Sequence, residues 1–251
     1  MERFCKIAMG ILIPLLVCAP LPAQYTVGSR SFLHASAAAA QYVTGSYAFA
    51  SNGPPATLAT SCAGGELMAI FVLDNYSAVT AFTVTVSTGT AQTIQTGSSF
   101  FSSPNSLHAQ SFYIANCAAG SFTLQAAANS YGTPGIAIAR YTGLSTEDGS
   151  GTWAETVQST GTTVTVPCSI ATTATDTVIA NVFGENGGYF DISATWTISS
   201  GYTARSALTG YVQPFADQIG VAAGTQSFTA SATGTNQTPP SDYECGMMAF
   251  H

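Results

Sequence analysis

Three segments of the chain occur twice, in the same order and at a nearly constant spacing. The segment 119–124 recurs at 224–229, the apolar run 67–73 recurs at 177–183, and the run 135–139 recurs at 246–250. The members of each pair lie 105 to 111 residues apart. A fixed internal period indicates repeated structural units. We therefore expect two copies of one small domain that arose by internal duplication.

The first 23 residues have the pattern of a secretory signal peptide. A charged start is followed by an almost purely apolar stretch and by small residues before an expected cleavage after Ala23. The apolar stretch is shorter than the ~20 residues that a membrane span needs. The sequence therefore predicts export, to the medium or to the cell surface, with no membrane span after the signal is removed.

The remainder of the chain carries little charge and no lysine. The whole chain has a formal net charge of −7, and the arginines beyond the leader are Arg30, Arg140 and Arg205. Nucleic-acid binding needs a basic surface that displaces counterions from phosphates, and three arginines cannot form one. We therefore expect no nucleic-acid partner.

Four cysteines lie beyond the leader: Cys62, Cys117, Cys168 and Cys245. An even number in an exported chain favours disulfides, whereas a zinc site of cysteines would need C-x-x-C pairs, which are absent. Three pairings are possible. The repeat favours one bridge in each copy, Cys62–Cys117 and Cys168–Cys245. Cys117 and Cys245 do not occupy equivalent positions, so the two bridges are not expected to be homologous.

Apolar and hydroxyl side chains alternate along the segments 82–87, 192–198 and 228–232. Alternation with a period of two places one set of side chains in a core and the other in water, as in a half-buried strand. The nearly continuous apolar runs 67–73 and 177–183 should be central strands, covered on both faces. Glycine, proline and asparagine clusters separate the runs at the spacing of a sandwich. The predicted fold is all-β, with two tandem antiparallel β-sandwiches, immunoglobulin-like or jelly-roll-like.

The same patterns divide the chain into segments. After the signal peptide, 1–23, we expect an irregular N-terminal segment over 24–60, which could supply a first strand or act as a tether. Copy one is predicted over 61–145 and copy two over 162–251. The periodicity stops between them, so residues 146–161 are predicted to be a linker.

No motif in the chain predicts catalysis or a metal site. There is neither a G-x-S-x-G nor an H-E-x-x-H motif. His34 lies in the irregular start, His108 on a predicted strand where we expect partial exposure, and His251 at the last position. The turn at Glu147 and Asp148 is rich in oxygen ligands but lacks the twelve-residue calcium loop pattern, so an ordinary turn is favoured. No catalytic residue, metal or cofactor is predicted.

The best candidates for a ligand site have no evident counterpart in the other copy. Trp153, in the predicted linker, and Tyr189, in a predicted turn, could stack on a sugar ring, with core packing as the alternative for Trp153. Glu185 and Asp191 flank a Gly-Gly turn. They could form the carboxylate pair of a glycosidase, with simple solvation as the alternative.

Residues 136–144 read Ile-Ala-Ile-Ala-Arg-Tyr-Thr-Gly-Leu, a strand that ends through Tyr-Thr-Gly-Leu. Together with the two-copy layout, this stretch resembles a strand end of exported bacterial tandem β-sandwich proteins whose activity is uncharacterised. The resemblance implies a sandwich fold and export, and it implies no activity.

These features predict an exported cell-surface protein with a structural or binding, adhesin-like role and no catalysis. Its partners would be surface glycans, other proteins or further copies of the chain. One alternative is a carbohydrate-binding module or an accessory to a polysaccharide-active enzyme. Another is a filament subunit in which residues 24–60 add as a strand to the sheet edge of the next subunit.

Overall fold

The computed structural model describes most of the chain beyond residue 38. The described residues are 39–50, 55–74, 79, 81–101, 108–129, 134–149, 151–158, 163–186, 189–190, 195–206, 215–233 and 241–251. Within these ranges the regular structure is β-strand, and no helix there has the length and apolarity that crossing a membrane requires.

The strands fall into two consecutive groups along the chain. The first group is β1 (Gln41–Phe49), β2 (Ala56–Cys62), β3 (Glu66–Asp74), β4 (Phe82–Gly89), β5 (Gln95–Phe101), β6 (His108–Cys117), β7 (Gly120–Ala128) and β8 (Gly135–Thr142). The second group is β9 (Thr152–Gln158), β10 (Thr163–Thr172), β11 (Asp176–Asn186), β12 (Tyr189–Phe190), β13 (Thr195–Ile198), β14 (Thr203–Ala204), β15 (Phe215–Val221), β16 (Gly224–Thr233) and β17 (Ser241–Phe250).

Both groups form the same pair of antiparallel sheets. The first copy has an inner sheet of order β1-β8-β3-β6-β5 and an outer sheet of order β2-β7-β4. The second copy has an inner sheet of order β9-β17-β11-β15-β14 and an outer sheet of order β10-β16-β13, and β12 pairs with β11. The orders are identical when β9 is matched to β1 and β12 is set aside. Pairing of the first strand with the eighth, the second with the seventh and the third with the sixth resembles a jelly roll, except that the fifth strand pairs with the sixth in the inner sheet and not with the fourth. The predicted tandem β-sandwiches are confirmed.

The structure corrects the predicted boundaries of the copies. Residues 146–161 are not a bare linker, because they contain β9, which pairs with β17 at the edge of the second inner sheet. Copy one begins earlier than residue 61, because β1 and β2 belong to its sheets. The predicted N-terminal segment and the predicted linker therefore correspond to each other, because each supplies the first strand of its copy. These strands, β1 and β9, begin 111 residues apart.

Burial along the strands follows the sequence pattern. In β10 buried and exposed residues alternate along the whole strand, so one face packs into the second sandwich and the other faces water. In β3 all nine residues are buried. An antiparallel strand becomes continuously apolar when both faces of its sheet are covered.

The second face of each inner sheet is covered by the other copy. A third apolar core lies between the two inner sheets, in addition to the core inside each sandwich, and we call this third core the seam. It includes Phe71 and Leu73 from β3, Phe183 from β11, and Met248 and Phe250 from β17. Each such side chain contributes about 1.5–3 kcal/mol when it is fully buried. The seam therefore joins the two sandwiches through a core of their own.

Equivalent strands of the two copies make similar contacts across the seam. The hydroxyl of Tyr42, on β1, donates a hydrogen bond to the backbone oxygen of Arg205 at 3.3 Å. The indole nitrogen of Trp153, on β9, donates to the backbone oxygen of Ser98 at 3.3 Å. Each copy's first strand therefore contacts the far edge of the other copy's inner sheet. By ladder position the counterpart of Trp153, which lies opposite Gly246, is Phe49, which lies opposite Gly135. The two sandwiches therefore pack with an approximate two-fold relation.

Each sandwich contains one disulfide between its outer and inner sheets. Cys62 on β2 is joined to Cys117 on β6, and Cys168 on β10 is joined to Cys245 on β17. This is the pairing that the repeat favours. The inner-sheet partner of the first bridge lies on the sixth strand of its copy, whereas that of the second lies on the eighth. The bridges therefore brace the two sandwiches at different places.

Candidate functional site

A cleft of about 300 Å³ opens at one end of the seam, between β1 and β8 of one inner sheet and β11 and β15 of the other. We call it the seam cleft. Its wall combines aromatic rings with an amide, a hydroxyl and a guanidinium, from Tyr42, Tyr47, Phe49, Phe183, Phe215, Asn181, Ser206 and Arg205. Concave sites with largely apolar walls and a few fixed polar groups are typical of small-molecule binding.

A β-bulge in β1 brings its aromatic rings into the seam cleft. The register of β1 against β8 shifts between Tyr42 and Thr44. Tyr42 and Phe49 both pack against the seam, while Ala48 packs against the core of the first sandwich. Residues seven apart on a regular strand would point to opposite faces of the sheet. The extra residue of the bulge therefore turns the side chains that follow it onto the other face. The ring of Tyr47 lies 5.7 Å from that of Phe49, and Tyr47 is 44% exposed.

A buried ionic network forms the inner wall of the seam cleft. The carboxylate of Asp217, on β15, accepts hydrogen bonds from the Tyr141 hydroxyl at 2.9 Å and from Arg205 Nε at 2.8 Å. The guanidinium carbon of Arg205 lies 4.7 Å from the centroid of the Tyr42 ring, a cation–π geometry. Burial, and then the Asp217 carboxylate, raise the pKa of Tyr141 well above 10.0, and the hydrogen bond to Asp217 raises that of Arg205. The wall therefore presents a guanidinium that a buried carboxylate holds in place.

Asn181 places an amide side chain among the apolar residues of β11 that face the seam. It lies on β11 between Ile179 and Phe183, which face the seam, and it is 1% exposed. An amide side chain offers both hydrogen-bond donors and acceptors. Ser206 lies nearby, and its hydroxyl oxygen accepts a hydrogen bond from the backbone nitrogen of Phe215 at 2.9 Å.

The opposite end of the seam is filled by Trp153. Its ring stacks on Phe183 at a centroid distance of 6.2 Å and meets Phe71 edge-on at 5.8 Å. It lies flat over Gly246, where a Cβ would come within 2.7 Å of the indole ring. Trp153 is thus a half-buried seam residue, which matches the core-packing alternative, and its role in ligand binding stays a prediction. The two ends differ: a tryptophan packs one, and a cleft opens at the other.

The other predicted ligand residues cannot be placed around a site. Glu185 lies on β11 and Tyr189 on β12, but only their backbones are described, with Asn186 opposite Tyr189 in the ladder. Asp191 lies outside the described residues. Sequence analysis missed the residues of the seam cleft. Arg205 offered a signal, as one of only three arginines beyond the leader.

His108 is buried, which corrects its expected partial exposure. It lies opposite Asp74 in the β3–β6 ladder, and the two residues are 4% and 0% exposed. Burial lowers the pKa of His108. The pair lies on the face of the sheet toward the core of the first sandwich and is separate from the seam cleft.

Asp242 carries an unfavourable charge on β17. It is 8% exposed, and burial followed by the nearby Glu155 carboxylate raises its pKa to about 6. Glu185 is its register partner on β11, and Val157 is its partner on β9. At neutral pH the folded protein must therefore hold an ionised Asp242 in a poorly solvated position.

We expect Asp242→Asn to raise the free energy of unfolding by about 1–2 kcal/mol at pH 7.5 and to change it little at pH 4. The pKa of Asp242 is higher in the folded than in the unfolded chain. The ionised carboxylate therefore begins to destabilise the folded protein as the pH rises above its pKa in the unfolded chain, near 4. The destabilisation reaches its full size above the pKa in the folded protein, about 6. Denaturant unfolding at the two pH values measures this difference. An equal effect at both values would contradict the electrostatic cause.

One further group of side chains could hold a metal ion. Asp148, Asp176 and His251 each bring a potential ligand atom within 4.8 Å of the others. Burial, and then the Asp148 carboxylate, raise the pKa of Asp176 to about 6. Hydrogen bonds from the Thr173 side chain and backbone hold the pKa of Asp148 well below its usual range.

Comparisons with known proteins add no assignment. No protein family model, curated protein or solved structure matches the chain. The resemblance of residues 136–144 to exported bacterial sandwich proteins therefore stays a prediction.

Proposed function

We propose that the protein is an exported, non-catalytic glycan-binding protein and that the seam cleft holds a sugar ring. The observation that carries this proposal is the difference between the two ends of the seam. Equivalent first strands close one end with Trp153 and leave the other open, with exposed Tyr47 beside the charged Arg205. A difference between two copies of one fold is where a specific role is expected, since the common part serves as scaffold.

The chemistry of the cleft wall suits a saccharide. The carbon face of a pyranose is apolar and packs on an aromatic ring, whereas its hydroxyls need donors and acceptors in fixed positions. The rings of Tyr47 and Phe49 provide the first, and Asn181, Ser206 and Arg205 provide the second. A volume of about 300 Å³ is at the lower end of ligand sites, which span roughly 300–1,000 Å³. The cleft therefore fits one or two sugar units.

Binding without turnover is supported by the acid groups at the cleft. A glycosidase needs two carboxyl groups across the scissile bond. Behind the described residues of the cleft wall, the carboxylate held against Arg205 is that of Asp217, which accepts hydrogen bonds from Tyr141 and Arg205 and is 1% exposed at its side chain. It therefore acts as a support for the guanidinium rather than as an acid or a nucleophile.

In the filament alternative, residues 24–60 would add as a strand to the next subunit, but part of this segment is already used within the protein's own sheets. Residues 41–49 and 56–62 already form β1 and β2 of the protein's own sheets. The rest of the proposed donor, residues 24–38, lies outside the described residues. We therefore keep glycan binding as the proposed function.

A glycan array followed by calorimetry tests the proposal. We expect Tyr47→Ala to weaken binding of the best array ligand at least tenfold, which is ~1.4 kcal/mol and within the range for one aromatic contact. Tyr47 is largely exposed, so the variant should stay folded. Val157→Ala, an exposed site on the equivalent strand β9, is the matched control and should bind as the wild type does. Silence across a broad array, or equal binding by both variants, would refute the proposed function.

A further inference from the structure

A second polar site lies away from the seam cleft, where three segments meet at the edge of the second sandwich. The turn after β8 runs beside the end of β17: Ser145 and Thr146 donate backbone hydrogen bonds to the His251 oxygen, and His251 donates one back to Thr146. The backbone nitrogen of Asp148 donates to the oxygen of Ala249 at 2.9 Å. These contacts bring the side chains of Asp148 and His251 to the start of β11, where Asp176 lies.

The three side chains converge closely. Their potential ligand atoms all lie within 4.8 Å of one another, and His251 Nδ1 is 3.2 Å from Asp176 Oδ1. Asp148 is 6% exposed and Asp176 is 1% exposed, whereas the His251 side chain is 44% exposed. The site is therefore buried on its carboxylate side and open to solvent on its imidazole side.

One oxygen of this cluster lacks an N–H or hydroxyl donor. Asp176 Oδ2 is fully buried and has no such donor among the described residues. The Asp176 and Asp148 carboxyl groups lie within hydrogen-bonding contact of each other, so that a shared proton or a cation is needed between them. Buried carboxylate oxygens are normally hydrogen-bonded, because water is no longer available to them. A buried acceptor that lacks a donor and faces two other ligand groups is a position that a bound cation would stabilise.

No side-chain cation of the described chain meets this need. Arg140 is paired with Glu66 at 3.0 Å, and Arg205 is paired with Asp217. The chain beyond the leader has no lysine, and Arg30 lies outside the described residues. Among the described residues, His251 is therefore the side chain beside the two carboxylates that can carry a positive charge, and a cation from solution would balance theirs.

We propose that Asp148, Asp176 and His251 bind one divalent transition-metal ion, of which Zn²⁺ is the type. Carboxylate oxygen and imidazole nitrogen together suit zinc, whereas calcium takes oxygen ligands. Three protein ligands leave a further position for water on the exposed side. Asp148 is already oriented: its oxygens accept hydrogen bonds from the Thr173 hydroxyl at 2.6 Å, the Thr173 backbone nitrogen, and the Ala174 backbone nitrogen at 3.2 Å. Such outer partners fix the direction of a metal ligand.

The bound ion would tie together parts that are distant in the chain. Asp148 lies in the segment that connects the two sandwiches, Asp176 begins the central strand of the second inner sheet, and His251 follows its neighbour β17. The metal would hold the connecting segment onto the second sandwich. This role is independent of the glycan site.

Zinc binding to the full-length protein tests the proposal. After dialysis against EDTA and then buffer, titration with ZnCl₂ is followed by calorimetry and by metal analysis of the gel-filtered protein. We expect one Zn²⁺ per chain and a rise in the melting temperature, with at least tenfold weaker binding in both Asp176→Asn and His251→Ala. His251 is largely exposed, so His251→Ala keeps the test valid if Asp176→Asn does not fold.

Asp242→Asn, a buried aspartate outside the cluster, is the matched control and should keep one Zn²⁺ per chain. CaCl₂ is expected to give no binding. A wild-type protein that binds no Zn²⁺, or Zn²⁺ binding that His251→Ala leaves unchanged, would overturn the site. Equally tight Ca²⁺ binding that is lost in the same variants would overturn its assignment to a transition metal.

Discussion

Asp217→Asn is expected to lower the free energy of unfolding by about 3 kcal/mol at pH 7, among the largest effects of any single substitution in this protein. The side chain of Asp217 is 1% exposed and accepts hydrogen bonds from Tyr141 and Arg205. An asparagine keeps the shape but loses the charge, so the guanidinium of Arg205 stays in the seam without a counterion. Removal of one partner of a buried pair costs about 3–5 kcal/mol, and the partial exposure of Arg205 favours the lower end. Chemical denaturation at constant pH measures the loss.

Tyr141→Phe is the matched control for this network. It removes one hydroxyl from the same carboxylate and leaves the ion pair intact, so we expect a loss of about 1–2 kcal/mol. The double variant should lose less than the two single losses combined, because both act on the same hydrogen bond. A loss below about 1 kcal/mol for Asp217→Asn, or strict additivity of the pair, would show that the network does not hold the seam together.

The strands themselves could be predicted because each carries its own signal. Strand β10 alternates in the sequence and in its burial, and β3 is apolar in sequence and buried throughout. The period of two depends only on which faces are covered. The sequence also indicated that β3 needs cover on both faces, but not that the second cover is the other copy of the same domain.

Strand β9 was missed because its signal comes from its partners. Trp153 and Glu155 break the expected alternation of a half-buried strand, since Trp153 enters the seam and Glu155 does not pack into an apolar core. The large indole is accommodated by Gly246, which is more than ninety residues away in the chain and contributes no side chain. Neither residue is informative without the other. A pattern that depends on a pair of distant residues is invisible to local periodicity.

The seam cleft could not be predicted for a similar reason. Tyr42 and Arg205 are 163 residues apart and meet only because the two inner sheets face each other. The bulge in β1, which sends Tyr42 and Phe49 to the same face, has one sequence signal, Gly45 just beyond the register shift, and a single glycine does not show which way the following side chains point. Comparison of the copies was nevertheless the right guide. It directed attention to the N-terminal segment, which contains β1, and to Trp153, and the seam cleft lies beside β1.

Removal of either disulfide is expected to lower the free energy of unfolding by about 4 kcal/mol. The bridges close loops with sequence separations of 55 and 77 residues, and the stabilisation grows only with the logarithm of loop length. Cys62→Ala/Cys117→Ala and Cys168→Ala/Cys245→Ala should therefore lose nearly equal amounts. Guanidinium unfolding of each double variant, at a pH where the wild type is fully oxidised, measures the difference.

The seam predicts how this loss will appear in the unfolding curve. Because the two sandwiches share a core, loss of the bridge in one should lower the stability of both, and each variant should still unfold in a single transition. Wild-type protein reduced with dithiothreitol controls for the missing sulfur atoms and should match the sum of the two losses within the usual error of additivity. Two separate transitions, with only the one belonging to the altered sandwich displaced, would mean that the seam does not couple the copies. A loss below about 1.5 kcal/mol would mean instead that the unfolded chain is already compact enough for the bridges to matter little.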